Sequence, residues 1–340
     1  MKDLRDYSLL EHNTFGIEAH CRRFLEYASV EEARQVAALL NESTSEALLI
    51  IGAGSNLLLT GDFPGVVVHS AIKGCDVTAT EGGDEVLLRV GSGETWDDVV
   101  EYCVSQGWYG AENLSLIPGE AGASAVQNIG AYGVEASHII YKVEAVGVDD
   151  GEIHTFMANE CGYGYRQSRF KQEWKNKFLI TYVTYRLSKV FTPHLDYGNI
   201  RQELAKRAVA VPTAQQLREV IMDIRREKLP DPKVEGNAGS FFMNPVIPRA
   251  QFESLLANHP LMPHYYVDDM HEKIPAGWLI DQCGWKGRSV GAAGVHARQA
   301  LVLVNRGGAT GSDIVRLCEK IRDDVVARFG IDIHPEVNII

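Results

Sequence analysis

The chain has 340 residues, too many for one ordinary hydrophobic core, and its 45% hydrophobic and 23% charged residues are those of a globular protein of two or three domains. A net charge of −12 without any long Lys/Arg cluster argues against nucleic acid and anionic membrane as partners. No apolar run approaches the ~20 residues of a membrane span, and the opening MKDLRDYSLLEHNTFG lacks the apolar core of a signal peptide, so a cytoplasmic protein is expected.

Strands and helices alternate along the chain. Ser29 and Glu32 form a capping box for a helix with Ala33, Val36, Ala37 and Leu40 on one stripe. Residues 47–51 read as a buried strand, followed by strands at 66–69 and 86–90. Thr95 caps a helix with Trp96, Val99, Val100 and Cys103 inward, and Gly107 closes it. Further strands are expected near 143–148, 152–156 and 178–187. Thr213 and Gln216 box a helix carrying Leu217, Val220, Ile221 and Ile224, which ends near Leu229-Pro230. The last helix runs from Ser312, buries Ile314, Leu317, Cys318, Ile321 and Val325, and stops at Gly330. In a closing strand, Ile331, Ile333, Val337 and Ile339 alternate with Asp332, His334, Glu336 and Asn338. Composition places domain boundaries near 70 and 212, giving segments 1–70, 71–212 and 213–340. Cys21, Cys75, Cys103, Cys161, Cys283 and Cys318 form no CxxC pair, so they read as free thiols, mostly in the core, and no metal site is expected.

Glycine lets a backbone approach a phosphate closely, and successive free N–H groups make an anion nest. Residues 52–56 (GAGSN), 117–124 and 127–133 are such loops; each read alone is equally a tight turn. The first is not a Rossmann fingerprint, because Leu57 stands where the third glycine belongs and LLLTGDFPG opens no helix. No Walker A loop occurs either.

The motifs NTFGI (13–17), GAGSN, ENLSLIPG (112–119) and QNIGAYG (127–133), in this order, resemble the FAD-binding half of the UDP-N-acetylenolpyruvoylglucosamine reductase family. The likeness continues through GYRQSRFK (164–171), KLPDPKVEGNAGSFFMNP (228–245), AGWLIDQCGWKG (276–287), HARQALVLVN (296–305) and HPEV (334–337), over nearly the whole chain. It implies an α+β fold: a vanillyl-alcohol-oxidase (PCMH)-type FAD-binding region of two subdomains, 1–70 and 71–212. A C-terminal α+β substrate domain, 213–340, completes it, with its last strand returning toward the flavin. It also implies non-covalent FAD, NADPH as reductant, and a small-molecule substrate, UDP-N-acetylglucosamine enolpyruvate. A monomer or weak oligomer is expected. The cofactor would lie on Gly52, Ala53, Gly54, Ser55, Asn56, Pro118, Gly119, Gly122, Ala123, Ser124, Gln127, Asn128, Gly130, Tyr132 and Gly133. Ala125 stands where relatives often carry proline, which would loosen the loop.

By the same resemblance Arg166 stabilises the substrate carboxylate, Ser240 gives a proton to carbon, and Glu336 stabilises the enol or assists that delivery. The bland readings are a surface arginine, a turn serine and a solvated carboxylate. Tyr197, Arg225, Lys228, Asn244, Lys286 and Gln299 match residues that bind the UDP-sugar or the nicotinamide cofactor. Tyr265 matches a tyrosine loop that closes over substrate in the longer class, with Tyr266 beside it. Arg225 and Lys228, three apart near a helix end, are placed to clamp a diphosphate or simply to form a solvated basic rim. Oxidases on this fold often tether flavin through histidine, and only His138 lies in or beside the glycine loops, past their end, so a tether is not expected. The rival from another class is a non-catalytic nucleotide-sugar-binding protein, which would have no use for Arg166, Ser240 and Glu336 together.

Overall fold

The computed structural model describes residues 1–42, 46–80 and 83–340, and its contacts form two compact units. The first comprises Met1–Tyr7, Cys21–Ala53 and Pro64–Arg225; the second comprises Ser8–His20, Gly54–Phe63 and Arg226–Ile340. The grouping therefore differs from a division in chain order at 70 and 212. Two early segments belong with the C-terminal region because they supply its core with Phe15, Ile17 and Leu58.

The first unit carries a sheet ordered Lys2–Ser8, His20–Tyr27, Phe63–Ser70, Leu48–Ile51, the last two strands parallel. The helix Val30–Glu42 buries Ala33, Val36 and Ala37 against Leu25, Tyr27, Val66 and Val68, the stripe expected from its period. Ser29 Oγ accepts from Glu32 N–H at 3.1 Å, while the Glu32 carboxylate reaches back to Ala28 N–H at 2.7 Å. A second, antiparallel sheet follows the order Ile153–Met157, Ile140–Gly147, Phe178–Ser188, Glu85–Gly91, Cys75–Ala79. The helix Trp96–Ser105 buries Trp96, Val99, Val100 and Cys103 against it.

Thr95 is the N-cap residue of that helix, but its side chain makes no capping bond. The first amide of the helix is met by a loop carbonyl: Trp96 N–H donates to Gly119 O at 3.0 Å. The box Thr213–Gln216 forms in both directions, at 3.2 and 3.0 Å.

In the second unit the sheet order is Gly236–Asn237, Leu303–Asn305, Ala293–Val295, Ser289–Val290. The helices Ala276–Gln282 and Gly311–Phe329 share its core with Phe241, Phe242, Leu279 and Ile280. The latter helix opens one turn position earlier than expected, because Thr310 and Asp313 make the capping box, and Gly330 closes it at φ 63°. The closing strand is short: Asn338–Ile339 pairs in parallel with Leu57–Leu58, and Pro335 forms an isolated bridge to Phe242. Ile331, Ile333 and Val337 are buried as their alternation requires, whereas Ile339 is 40% exposed. A small sheet, Val246–Pro248, His271–Lys273, Tyr265–Asp268, adjoins the helix Arg249–Asn258. Among the described residues no helix is long and apolar enough to cross a membrane.

Candidate active site

The glycine-rich stretch of the first unit is built to hold a strained backbone. Leu116, Asn128 and Tyr132 take positive φ, between 48° and 57°, as does Arg166, which reaches this stretch from a later loop. Left-handed non-glycine residues cost of order 1 kcal/mol or more each and gather where geometry serves a ligand. Their side chains and neighbours explain how the conformation is held. Asn128, fully buried, donates to Gly164 O at 2.8 Å and Glu135 at 2.8 Å and accepts from Ser137 N–H at 2.9 Å. Ser124 Oγ donates to Ala121 O at 2.6 Å and meets the Tyr185 hydroxyl at 2.8 Å. These two polar side chains fix the loop. Ala125 is fully buried in the core.

Two arginines approach this stretch within the same unit. Arg166 donates to Gly130 O at 2.5 Å, and Arg225 Nε donates to Leu116 O at 3.2 Å. Burial first, and the nearby Arg166 charge as well, pull the Arg225 guanidinium below the usual arginine range, while the Tyr132 hydroxyl and Asp97 push the other way. Two like charges gathered on one concentration of loop backbone suit a carboxylate or phosphate. Tyr197 lies against Gly133: a Cβ there would stand 3.5 Å from that of Tyr197.

The second unit brings Ser240 and Glu336 together through the backbone. Glu336 N–H donates to Phe241 O at 2.8 Å, and Met243 N–H donates to His334 O at 2.9 Å, around the bridge Phe242–Pro335. The turn before Ser240 is capped by Asn237, whose Oδ1 accepts from Gly239 N–H at 2.9 Å. The turn's amide is thus served by Asn237, not by the exposed Ser240 hydroxyl. Asn56 joins the group, donating to Glu336 O at 3.4 Å and accepting at its own carbonyl from Asn338 N–H.

The remaining candidates of this unit are spread over several elements. Asn244 Oδ1 accepts from Ala276 N–H at 2.9 Å, at the start of a helix. Gln299 Oε1 accepts from Leu301 N–H at 3.3 Å. Lys286 is exposed and 3.6 Å from Asp281, and Lys228 is exposed at a helix end. Tyr265 shares a face with Lys273, whose ammonium stands 5.8 Å from its ring centroid. Tyr266, by contrast, donates its hydroxyl to Asp269 at 2.9 Å.

Two groups escaped the sequence reading. Asp97 accepts from Arg218 at 2.7 and 3.2 Å and from Leu116 N–H at 2.6 Å, so a helix residue pins the strained loop. His69 sits between Glu26 and Glu120, each 3.0 Å away. A histidine does therefore touch the glycine loops, at Glu120; adjacency in sequence pointed only to His138, whose Nδ1 accepts locally from Glu135 N–H. No sequence signal links positions 51 residues apart.

Comparison with known proteins decides the family. A model of an FAD binding domain matches residues 23–157, and one of the C-terminal domain of UDP-N-acetylenolpyruvoylglucosamine reductase matches 231–340. The UDP-N-acetylenolpyruvoylglucosamine reductase of Bacteroides fragilis is 55% identical over 334 residues, 98% of this chain and 99% of that one. The chain belongs to the UDP-N-acetylenolpyruvoylglucosamine reductase family. The reductase of Flavobacterium johnsoniae is 44% identical over 98% of both chains. The crystal structure of the Thermus caldophilus reductase covers 99% of this chain and 98% of its own, with 22% identity and a TM-score of 0.66, a likeness of fold. The expected α+β fold, an FAD-binding domain and a reductase C-terminal domain, is borne out.

An FAD-dependent member of this reductase family needs a crevice where backbone meets phosphate. In the first unit a Cβ on Gly52 would stand 3.0 Å from Glu120 and 3.3 Å from Ala123 Cβ, and one on Gly122 would fall 2.8 Å from Ser92 Cβ. Neither glycine position therefore has room for a side chain of its own, which fits a backbone that approaches a pyrophosphate closely.

Proposed function

We propose that the chain catalyses NADPH-dependent reduction of UDP-N-acetylglucosamine enolpyruvate to UDP-N-acetylmuramate, a step of peptidoglycan precursor synthesis in the cytoplasm. The observation that carries this reading is end-to-end family membership, 55% identity over 98% of the chain. It is supported by the adjacency of the Ser240 turn and Glu336.

Bound FAD supplies what no side chain offers, a carrier that takes hydride from NADPH and passes it to one vinyl carbon. The side chains manage charge and the proton. As the double bond is reduced, negative charge builds on the substrate carboxylate, and the Arg166 guanidinium meets it with a planar fork. The Ser240 hydroxyl gives its proton to the carbon beside the carboxylate, and Glu336 stabilises the enol or supports that delivery. Tyr197, Arg225, Lys228, Asn244, Lys286 and Gln299 bind the UDP-sugar or the nicotinamide cofactor, and Tyr265 covers the substrate. Residues 52–56 and 117–133 hold the flavin non-covalently.

The test is the visible spectrum of the purified protein. Oxidised-flavin bands are expected, bleached by NADPH and restored by the enolpyruvyl substrate. A colourless protein, or one whose flavin the substrate does not reoxidise, refutes the assignment.

A further inference from the structure

Glu120 is an odd residue for a loop that holds a phosphate. It stands at the N-cap of the short helix Ala121–Gln127, yet its carboxylate makes no capping bond. It turns instead to His69, with one oxygen 3.0 Å from the imidazole and the other facing Gly52. On its other side His69 meets Glu26 at 3.0 Å, and Glu26 pairs with Lys2 at 2.6 Å. The three side chains His69, Glu26 and Glu120 are 11%, 13% and 15% exposed, so solvent screens these three poorly, whereas Lys2 at the outer end is 62% exposed. Phe24 stacks near the imidazole, Ser70 hydrogen-bonds to Ser92, and the Tyr27 phenol lies close enough for Glu120 to raise it; none of these carries a charge at neutral pH. The row Lys2, Glu26, His69, Glu120 is neutral when the imidazole is protonated and carries one negative charge when it is not.

We propose that a protonated His69 neutralises Glu120, and that this allows the loop to accept an anionic, pyrophosphate-bearing cofactor. His69 is on this view a positioning and charge-balancing residue, one that need not touch the cofactor. The inference rests on the reading that residues 52–56 and 117–133 carry the flavin. Burial alone would lower the imidazole, but the hydrogen bond and charge of Glu120, then those of Glu26, outweigh it and hold His69 above the usual histidine range. The sign follows: the raised value keeps His69 charged below it, and the charge is lost as pH climbs through it. Flavin affinity should therefore fall as pH rises above the usual histidine range.

The test measures FAD dissociation from the holoenzyme by the fluorescence of released flavin, at pH 6.5 and 9, alongside thermal unfolding. The wild-type Kd is expected to rise about tenfold, at no more than about one log unit per pH unit for one proton. His69→Gln should weaken binding about tenfold at pH 6.5 and flatten the pH dependence. Adding Glu120→Gln to it should restore the affinity that the wild type has at pH 6.5 and keep it at pH 9. A His69→Gln protein with wild-type affinity and slope overturns the proposal, as does a double variant no better than the single one. If His69→Gln does not fold, Glu120→Gln alone decides, because it keeps the His69–Glu26 bond: tighter FAD binding than wild type at pH 9 supports the proposal, and equal or weaker binding overturns it. Failure of the wild type to bind FAD at any pH would instead remove the flavin reading itself.

Discussion

Replacing Asp97 with alanine should damage both the stability of the first unit and its hold on flavin. Arg218 is buried, with 4% of its side chain exposed, and Asp97 supplies both of its close partners at 2.7 and 3.2 Å. Once Asp97 is gone, the carboxylate left beside Arg218 among the described residues is that of Glu101, 3.7 Å away and 72% exposed. Stranding a buried charge this way costs about 3–5 kcal/mol. Since Asp97 is itself 22% exposed, the lower end applies. The unmade bond to Leu116 N–H adds about 1 kcal/mol, and Leu116 is then free to leave φ 57°. A total near 4 kcal/mol is a large part of the ~5–15 kcal/mol that holds a domain together. Asp97→Asn keeps an acceptor for Leu116 and should cost about half as much. Urea unfolding followed by tryptophan fluorescence, to which Trp96, Trp108 and Trp174 of this unit contribute beside Trp278 and Trp285 of the other, reports on stability; flavin release measured in parallel reports on the loop. A loss under 1 kcal/mol for Asp97→Ala, or equal losses for alanine and asparagine, would refute the reasoning.

Three further outcomes are expected. Ser240→Ala should leave flavin reduction by NADPH near normal and slow reoxidation by the enolpyruvyl substrate by about 10²–10⁴-fold; equal slowing of both halves in stopped flow would reduce Ser240 to a shaping role. Tyr265→Phe should raise the substrate KM and spare flavin reduction, and an unchanged KM would move attention to Tyr266. Acid precipitation should release yellow colour into the supernatant, whereas colour in the pellet would indicate a covalent tether.

Much of this was legible in the sequence where a signal is local. The stripes Ala33–Val36–Ala37 and Trp96–Val99–Val100–Cys103 were readable because helical period fixes which residues share a face. The glycine loops were readable because their order is specific to a family. Thr95 misled because its hydroxyl makes no bond to the helix, whose first amide is met by the carbonyl of Gly119, distant in sequence. The composition of the second unit was hidden for the same kind of reason. Asn237 N–H donates to Thr14 O, and Thr14 Oγ1 donates to Asn237 O, across 223 positions that no window spans. His69, Glu26 and Glu120 share a site only through strand order and loop packing, so neither the row nor its net charge could be read from spacing.

The pairing of Asn338–Ile339 with Leu57–Leu58 has a consequence for biosynthesis. Leu57, Leu58 and Leu59 are all buried in the finished protein, and Thr60 bonds Ile340 across 280 residues. During translation at roughly 5–20 residues per second, that leucine run emerges roughly 15–60 s before its partner strand exists. For that interval the nascent chain carries an uncovered apolar segment with unpaired backbone, the kind of surface that holdase chaperones bind. A ribosome stalled short of residue 338 prolongs this exposure indefinitely, so late translational pausing is a greater hazard to this chain than early pausing.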